Sequence, residues 1–156
     1  MDKKLIVLDQ KASDNAYLHK DFHGALCYAI KYLVDQFGHA ATESYLKQVG
    51  RTVFAPLAER IKTSGLSALE THFRDVFEKE NGNFTVAYED GQLVFRIEKC
   101  PAIAHLKQSN QLFTERFCES TVIVNAAICQ LAGIRCSCEY QPGQGKCIQK
   151  FWKETK

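Results

Sequence analysis

Hydrophobic residues recur every three or four positions through the first half of the chain, which is the spacing of helices with one buried face. We predict that the first helix buries one stripe and ends at Gly38. That stripe consists of Phe22, Ala25, Leu26, Ala29, Ile30, Leu33 and Phe37. A second helix should run from about Ala40 to a close at Thr63-Ser64-Gly65, and Pro56 should kink or split it because proline removes a backbone donor. A third helix should end near Asn81 and Gly82.

After Gly82 the hydrophobic residues alternate, as in a strand with one buried face. The alternation predicts two strands joined by a two-residue type I′ turn at Asp90-Gly91. Their inward residues, which should pair across the hairpin on one face, are Phe84 with Ile97, Val86 with Phe95, and Tyr88 with Leu93.

The remaining chain is predicted to hold a short helix, a long helix and a second hairpin. The long helix should run from about Gln111 to Leu131, and it is apolar nearly all round, so we expect it to be the central buried helix. The second hairpin alternates from Ile134 to Tyr140 and returns after a loop at 141–144, which would place Cys147 opposite Cys138.

Together these elements predict one α+β domain over residues 1–156, a length that suits a single core. Residues 1–13 would form an N-terminal arm, residues 14–82 a helical part, and residues 83–156 a hairpin–helix–hairpin (ββαββ) part. The small antiparallel sheet should pack on the helical layer.

The amino-acid composition limits which kinds of binding partner and which cellular compartment we expect for the protein. The 20 Lys and Arg residues nearly balance the 18 Asp and Glu residues and are scattered, so a nucleic-acid partner is not favoured. The apolar run at residues 5–8 is too short for a membrane span or a signal peptide, so we expect a cytoplasmic protein with no membrane partner. Seven cysteines without a C-x-x-C spacing are then expected to be reduced thiols. A closed twofold homodimer is the default expectation for assembly.

Cys100 is the first candidate for chemistry. A strand pattern ends at this residue, and Pro101 suits the first position of a helix, so Cys100 should be the N-cap. The positive end of the helix dipole would favour its thiolate and its reactivity. The alternative is a small buried thiol with a packing role only.

His105 and Glu119 are the candidates to move protons beside that nucleophile. His105 lies about a turn and a half further along the same short helix, so it would face Cys100 only if that helix were distorted. Glu119 lies in the long helix and is otherwise expected to be a solvated residue.

The long helix also predicts a ligand-facing stripe. Cys118, Val122, Asn125 and Cys129 share one helical face, and Asn125 is the main polar residue of the apolar stretch. A buried amide is normally hydrogen-bonded, so Asn125 either ties the helix to neighbouring backbone or points into a ligand cavity. Cys118 and Asn125 are therefore the ligand-binding candidates.

Two residue sets could hold a metal, although the sequence leaves the cofactor unknown. His19 and His23 would share a face if the first helix started at Asp14, as a divalent metal such as zinc or a proton shuttle requires; a start at Asp21 would separate them. Cys136, Cys138 and Cys147 could bind a soft metal or could simply line part of the core.

Several short motifs resemble known families. Cys100-Pro101, the helix carrying Cys118, and Gly145-Lys146-Cys147 followed by Phe151 are similar to the C-terminal half of the L-2-amino-thiazoline-4-carboxylic acid hydrolase family. The order of elements also resembles the vinyl-reductase type of small-molecule-binding domain. The motifs fall within residues 84–153, whereas residues 14–80 share only the element order.

The resemblance implies two alternative functions. The first is a small-molecule hydrolase that opens a thiazoline ring or another C–N bond, with Cys100 as nucleophile or ligand. The second is a binding module without catalysis that holds a small, largely apolar ligand, with cysteines able to hold metal. Cys100, Cys118 and Cys147 occupy positions where such proteins place cysteines, whereas Cys136 and Cys138 depart from the hydrolase pattern.

Overall fold

The computed structural model describes the backbone of residues 16–154 and the side chains of residues 20–154. The predicted arm at 1–13 therefore lies outside the described residues. The helices are α1 (Ala16–Thr52), α2 (Ala55–Ser64), α3 (Leu66–Lys79), α4 (Pro101–Gln108) and α5 (Phe117–Ala132). The strands are β1 (Asn83–Glu89), β2 (Gln92–Lys99), β3 (Arg135–Gln141) and β4 (Lys146–Trp152). The predicted α+β class, with helices followed by two hairpins, is confirmed.

The four strands form one antiparallel sheet in the order β1-β2-β4-β3. The first hairpin has the predicted register, in which Phe84 pairs with Ile97, Val86 with Phe95, and Tyr88 with Leu93. Asp90 and Gly91 have φ angles of 49° and 77°, the positive values that a type I′ turn requires. The turn chemistry and the alternation of the strands therefore agree.

The second hairpin differs from the prediction in its register. Gln141 pairs with Lys146, so Cys147 lies opposite Tyr140, and Cys138 lies opposite Gln149. The predicted pairing was wrong because Gly145, with φ of 70°, belongs to the turn and not to the strand. Cys138 and Cys147 are consequently diagonal neighbours, and they still share one face of the sheet.

The helical part of the chain kinks at Gly38 and breaks in front of Pro56, as predicted. Gly38 leaves the helical conformation inside α1, with φ of 80° and ψ of 178°, so the helix kinks there. Pro56 lies in the first turn of α2, and the predicted second helix is split in front of it. Helix α5 begins at Phe117, later than the predicted start at about Gln111. In the segment before it, the backbone N–H of Thr114 donates to Cys27 Sγ at 3.3 Å.

The predicted buried stripe of the first helix is only partly correct. Ile30 is buried, but Phe22 and Phe37 are each 62% exposed, and the buried residues facing the body also include Gly24 and Cys27. The apolar sector of α1 is wider than the strip that contacts α4 and α5, so its edges face solvent. No helix in the described part of the chain is both long and apolar enough to cross a bilayer.

Helix α5 occupies the centre of the fold, as its sequence predicts, and contacts α1, α2 and β3. One buried cluster joins α2, α3 and α5 to the sheet, and a second joins α1, α4 and the start of α5. Between α3 and the sheet, Phe95 packs against Phe73, Phe77 and Phe84 with ring centroids 5.0–5.3 Å apart. This aromatic group fixes α3 on the inner face of the sheet.

Phe95→Ala should lower the free energy of unfolding by about 3–5 kcal/mol, because the substitution leaves a cavity in a fully buried site. The matched control is Phe37→Ala, whose ring is 62% exposed and should contribute less than about 0.5 kcal/mol. Urea unfolding followed by circular dichroism would measure both values. Equal losses for the two variants would contradict the assignment of Phe95 to the core.

Candidate functional site

A small, partly open space lies between the inner face of the sheet and the helices α4 and α5. Its volume is about 50 Å³, and four thiols line it: Cys100, Cys118, Cys138 and Cys147. We call it the thiol cavity. The other residues lining it are Phe77, Ile103, Phe117, Thr121, Tyr140, Gly145, Lys146 and Gln149.

Four separate elements bring these thiols together. Cys100 is the N-cap of α4, directly before Pro101, as predicted, and its backbone N–H donates to the Gly145 carbonyl at 2.8 Å. Cys118 lies in the first turn of α5. Cys138 and Cys147 project from the inner face of β3 and β4. The cavity therefore depends on how α4 and α5 dock on the second hairpin.

The expected activation of Cys100 by the helix terminus is wrong. Burial raises the pKa of this thiol above its ordinary value, and the opposing effect of the Ala102 and Ile103 N–H groups is smaller. The negative charge of the Glu80 carboxylate also raises the pKa of Cys100. Desolvation therefore outweighs the helix dipole at this position.

Cys147 is the thiol of the cavity that ionises most readily. The S–H of Cys138 donates to Cys147 Sγ, which lowers the pKa of Cys147 to about 7 and raises the pKa of Cys138. Gln149 Nε2 also donates to Cys147 Sγ at 3.5 Å and lowers that pKa further. By contrast, burial together with the neighbouring Cys100 raises the pKa of Cys118 to about 11.

Two buried side-chain amides form a hydrogen-bonded pair next to Cys147. Asn125 Nδ2 donates to Gln149 Oε1 at 2.7 Å, and the two residues are only 7% and 3% exposed. Asn125 thus ties α5 to a side chain of β4, which is neither of the two partners expected from the sequence. Gln149 lines the thiol cavity, whereas Asn125 lies behind it.

The three predicted catalytic residues do not converge. His105 Nε2 lies 3.5 Å from Asp21 Oδ1, and its Nδ1 lies 3.4 Å from Ser109 Oγ. Glu119 pairs with Arg116 at 3.1 Å. Neither His105 nor Glu119 lines the thiol cavity with Cys100.

The predicted metal pair is described only in part, because the side chain of His19 lies outside the described residues. His23 Nε2 lies 2.7 Å from Glu80 Oε2, and the imidazole ring meets Phe117 edge-on. Among the side chains that the structure describes, no group of three or more His, Cys, Asp or Glu residues could hold a metal ion. A zinc ion at His19 and His23 stays a prediction of the sequence.

Gln149 is the residue that sequence reasoning missed. The signal was present, because Cys147, Gln149 and Phe151 alternate on the inward face of β4 and Gln149 is the polar member. A glutamine at an inward position of a strand needs a buried partner. In the structure that partner is Asn125 of the central helix.

Comparison with protein-family models, curated proteins and solved structures finds no match to this chain. The resemblance to the thiazoline hydrolases and to the vinyl-reductase type of domain therefore stays a prediction from short motifs.

The pH dependence of alkylation should separate Cys147 from Cys118 within the same cavity. The thiolate is the reactive form, so the iodoacetamide reaction of Cys147 should reach half its maximal rate near pH 7 and level off above about pH 8. The reaction of Cys118, with a pKa of about 11, should still be accelerating at about pH 9. Peptide mass spectrometry after timed alkylation would give both curves, and a shared curve would contradict the assignment.

A double-mutant cycle should measure the Asn125–Gln149 hydrogen bond. Asn125→Leu and Gln149→Met should each cost about 1–3 kcal/mol in unfolding free energy, because each leaves a buried amide unpaired. The double variant should cost less than the sum, by about 1 kcal/mol or more. Gln130→Met is the control, since Gln130 bonds to Arg51 on the exposed surface and its loss should cost less than about 0.5 kcal/mol. Strict additivity would show that the two amides do not interact.

Proposed function

We propose that this chain is a small-ligand-binding module and that the thiol cavity holds the ligand. The observation that carries the proposal is the convergence of four thiols from separate elements on one small cavity. The rest of the lining combines aromatic and aliphatic side chains with a few polar groups, as ligand sites commonly do. The polar groups are the Thr121 hydroxyl, the Gln149 amide and the Tyr140 hydroxyl.

Binding is better supported than hydrolysis. A cysteine hydrolase needs an ionised nucleophile with a proton acceptor in reach. Burial raises the pKa of Cys100, and the candidate proton carriers His105 and Glu119 do not line the cavity that contains it. The hydrolase hypothesis therefore lacks an ionised nucleophile with a proton acceptor in reach.

The cavity also limits the ligand. A space of about 50 Å³ admits only a few non-hydrogen atoms, compared with the 300–1,000 Å³ (approximately) of sites for drug-sized molecules. Sulfur is a soft and polarisable donor. The preferred ligand is therefore a small molecule that is either weakly polar or thiophilic. The homodimer and the cytoplasmic location stay predictions of the sequence.

Native mass spectrometry of the untagged protein tests the proposal. The wild-type chain should carry a bound small molecule that appears as excess mass over the sequence. Thr121→Leu should remove that mass, because the larger side chain fills the cavity. Thr63→Leu, at an exposed position of α2, is the matched control and should keep the ligand.

Cys100→Ser distinguishes the two functions. Under the binding proposal the wild-type protein opens no thiazoline ring, so this variant has no turnover to lose. If the wild-type protein opened a thiazoline ring and Cys100→Ser abolished that turnover in a folded protein, the hydrolase reading would replace this proposal.

A further inference from the structure

Two pairs of thiols meet at the inner face of the sheet in different surroundings. A hydrogen bond from the neighbouring thiol lowers the pKa of one member of each pair, from Cys129 of α5 to Cys136 and from Cys138 to Cys147. Cys138 on β3 and Cys147 on β4 are also diagonal neighbours in the sheet. Cys129 is buried in the main hydrophobic cluster, and Cys136 packs against that cluster. Cys138 and Cys147 instead line the thiol cavity. One chain therefore contains two similar thiol pairs, each with a partly exposed member, and the second pair also lines the thiol cavity and has the Gln149 donor beside it.

Cys147 also receives a second donor, which Cys136 does not have among the described contacts. Gln149 Nε2 donates to Cys147 Sγ, and Asn125 holds the other end of the Gln149 amide through Oε1. Because both amides are buried, their orientation is fixed by these bonds and not by solvent. Cys147 Sγ is thereby held as an acceptor of two hydrogen bonds, the arrangement that a thiolate needs.

The remaining titratable groups around Cys147 do not supply a competing cation inside the cavity. They are Cys100 on α4, Cys118 on α5, Tyr140 on β3, and Lys146 on β4. The Lys146 ammonium lies 3.6 Å from Glu98 Oε2 and is more than half exposed. The donors that act on Cys147 are therefore Cys138 and Gln149.

The size of the cavity selects the reactant. One water needs roughly 10–15 Å³ of such space, so about 50 Å³ admits a molecule of two or three non-hydrogen atoms but no bulky one. Cys147 is partly exposed, so small solutes can reach it from solvent. A reactive, partly accessible thiol beside a second thiol is the arrangement found in thiols that undergo reversible oxidation.

We propose that Cys147 is a site of oxidation by hydrogen peroxide and that Cys138 resolves the oxidised form to a disulfide. In the first step the Cys147 thiolate attacks one peroxide oxygen, an S–O bond forms, the O–O bond breaks, and the departing hydroxide takes up a proton and leaves as water. In the second step Cys138 sulfur attacks Cys147 sulfur, the S–S bond forms, and the hydroxyl leaves as water with the Cys138 proton. Two thiols and one peroxide thus give one disulfide and two waters. This inference goes beyond the proposed binding function and concerns the thiol cavity when no ligand fills it.

Peptide mapping of the reduced, untagged protein after brief treatment with hydrogen peroxide tests the proposal. The wild-type chain should lose two hydrogen atoms and give one disulfide that joins the peptides of Cys138 and Cys147. Cys138→Ser keeps a hydroxyl donor but removes the resolving thiol, so Cys147 should stop at the sulfenic acid and be captured by dimedone. Cys147→Ser should show neither product, and Cys136→Ser, its matched control, should react like the wild type.

The Cys129–Cys136 pair serves as an internal reference in every sample. It has the same thiol–thiol bond without the cavity, and it should stay reduced at the peroxide dose that oxidises Cys147. Oxidation of Cys136 at the same rate, a disulfide from Cys147 to Cys118 or Cys100, or a Cys147 that remains a thiol would each overturn the proposal.

Gln149→Met tests the positioning role of the amide. The variant should oxidise roughly threefold or more slowly at pH 7, because fewer Cys147 thiols are ionised, and the deficit should disappear at about pH 9. A deficit that is the same at both pH values would indicate a structural defect and would remove Gln149 from the site.

Discussion

The docking of α5 on the inner face of the sheet is the constraint on which the rest of the structure depends. This helix carries residues of both hydrophobic clusters and contacts α1, α2 and β3. The interface contains the buried hydrogen bond between Asn125 and Gln149, whose loss would leave an unpaired amide in the interior. A sliding of α5 along the sheet would break that bond, so the amide pair fixes the register of helix on strand.

The same docking creates the thiol cavity and gives its cysteines different chemistry. All four thiols begin from the same ordinary pKa, but burial dominates at Cys100 and Cys118, whereas donated hydrogen bonds dominate at Cys147. The N-terminus of α4 should lower the pKa of Cys100, as the sequence predicts. Burial of the sulfur away from water raises that pKa by more. Reactivity is thus assigned by neighbours that are distant in sequence.

Much of the fold could be predicted because its signals are local. The alternation around Asp90-Gly91 fixes both the turn and the strand pairing, and Pro56 fixes the split between α1 and α2. The errors came where distant parts of the chain compete. Cys147 pairs with Tyr140 because Gly145 is taken into the turn, and Phe22 is exposed because only part of the apolar sector of α1 meets the body.

The α+β class, the helix breaks, the first hairpin and the N-cap position of Cys100 could all be predicted from the amino-acid sequence, since each follows from backbone sterics or from the period of the hydrophobic residues. The packed fold was needed to show which cysteines meet, which of them ionises most readily, and that Asn125 bonds to Gln149. These facts depend on contacts between α4, α5, β3 and β4, and both burial and hydrogen-bond donation are properties of the packed interior that no spacing along the chain encodes.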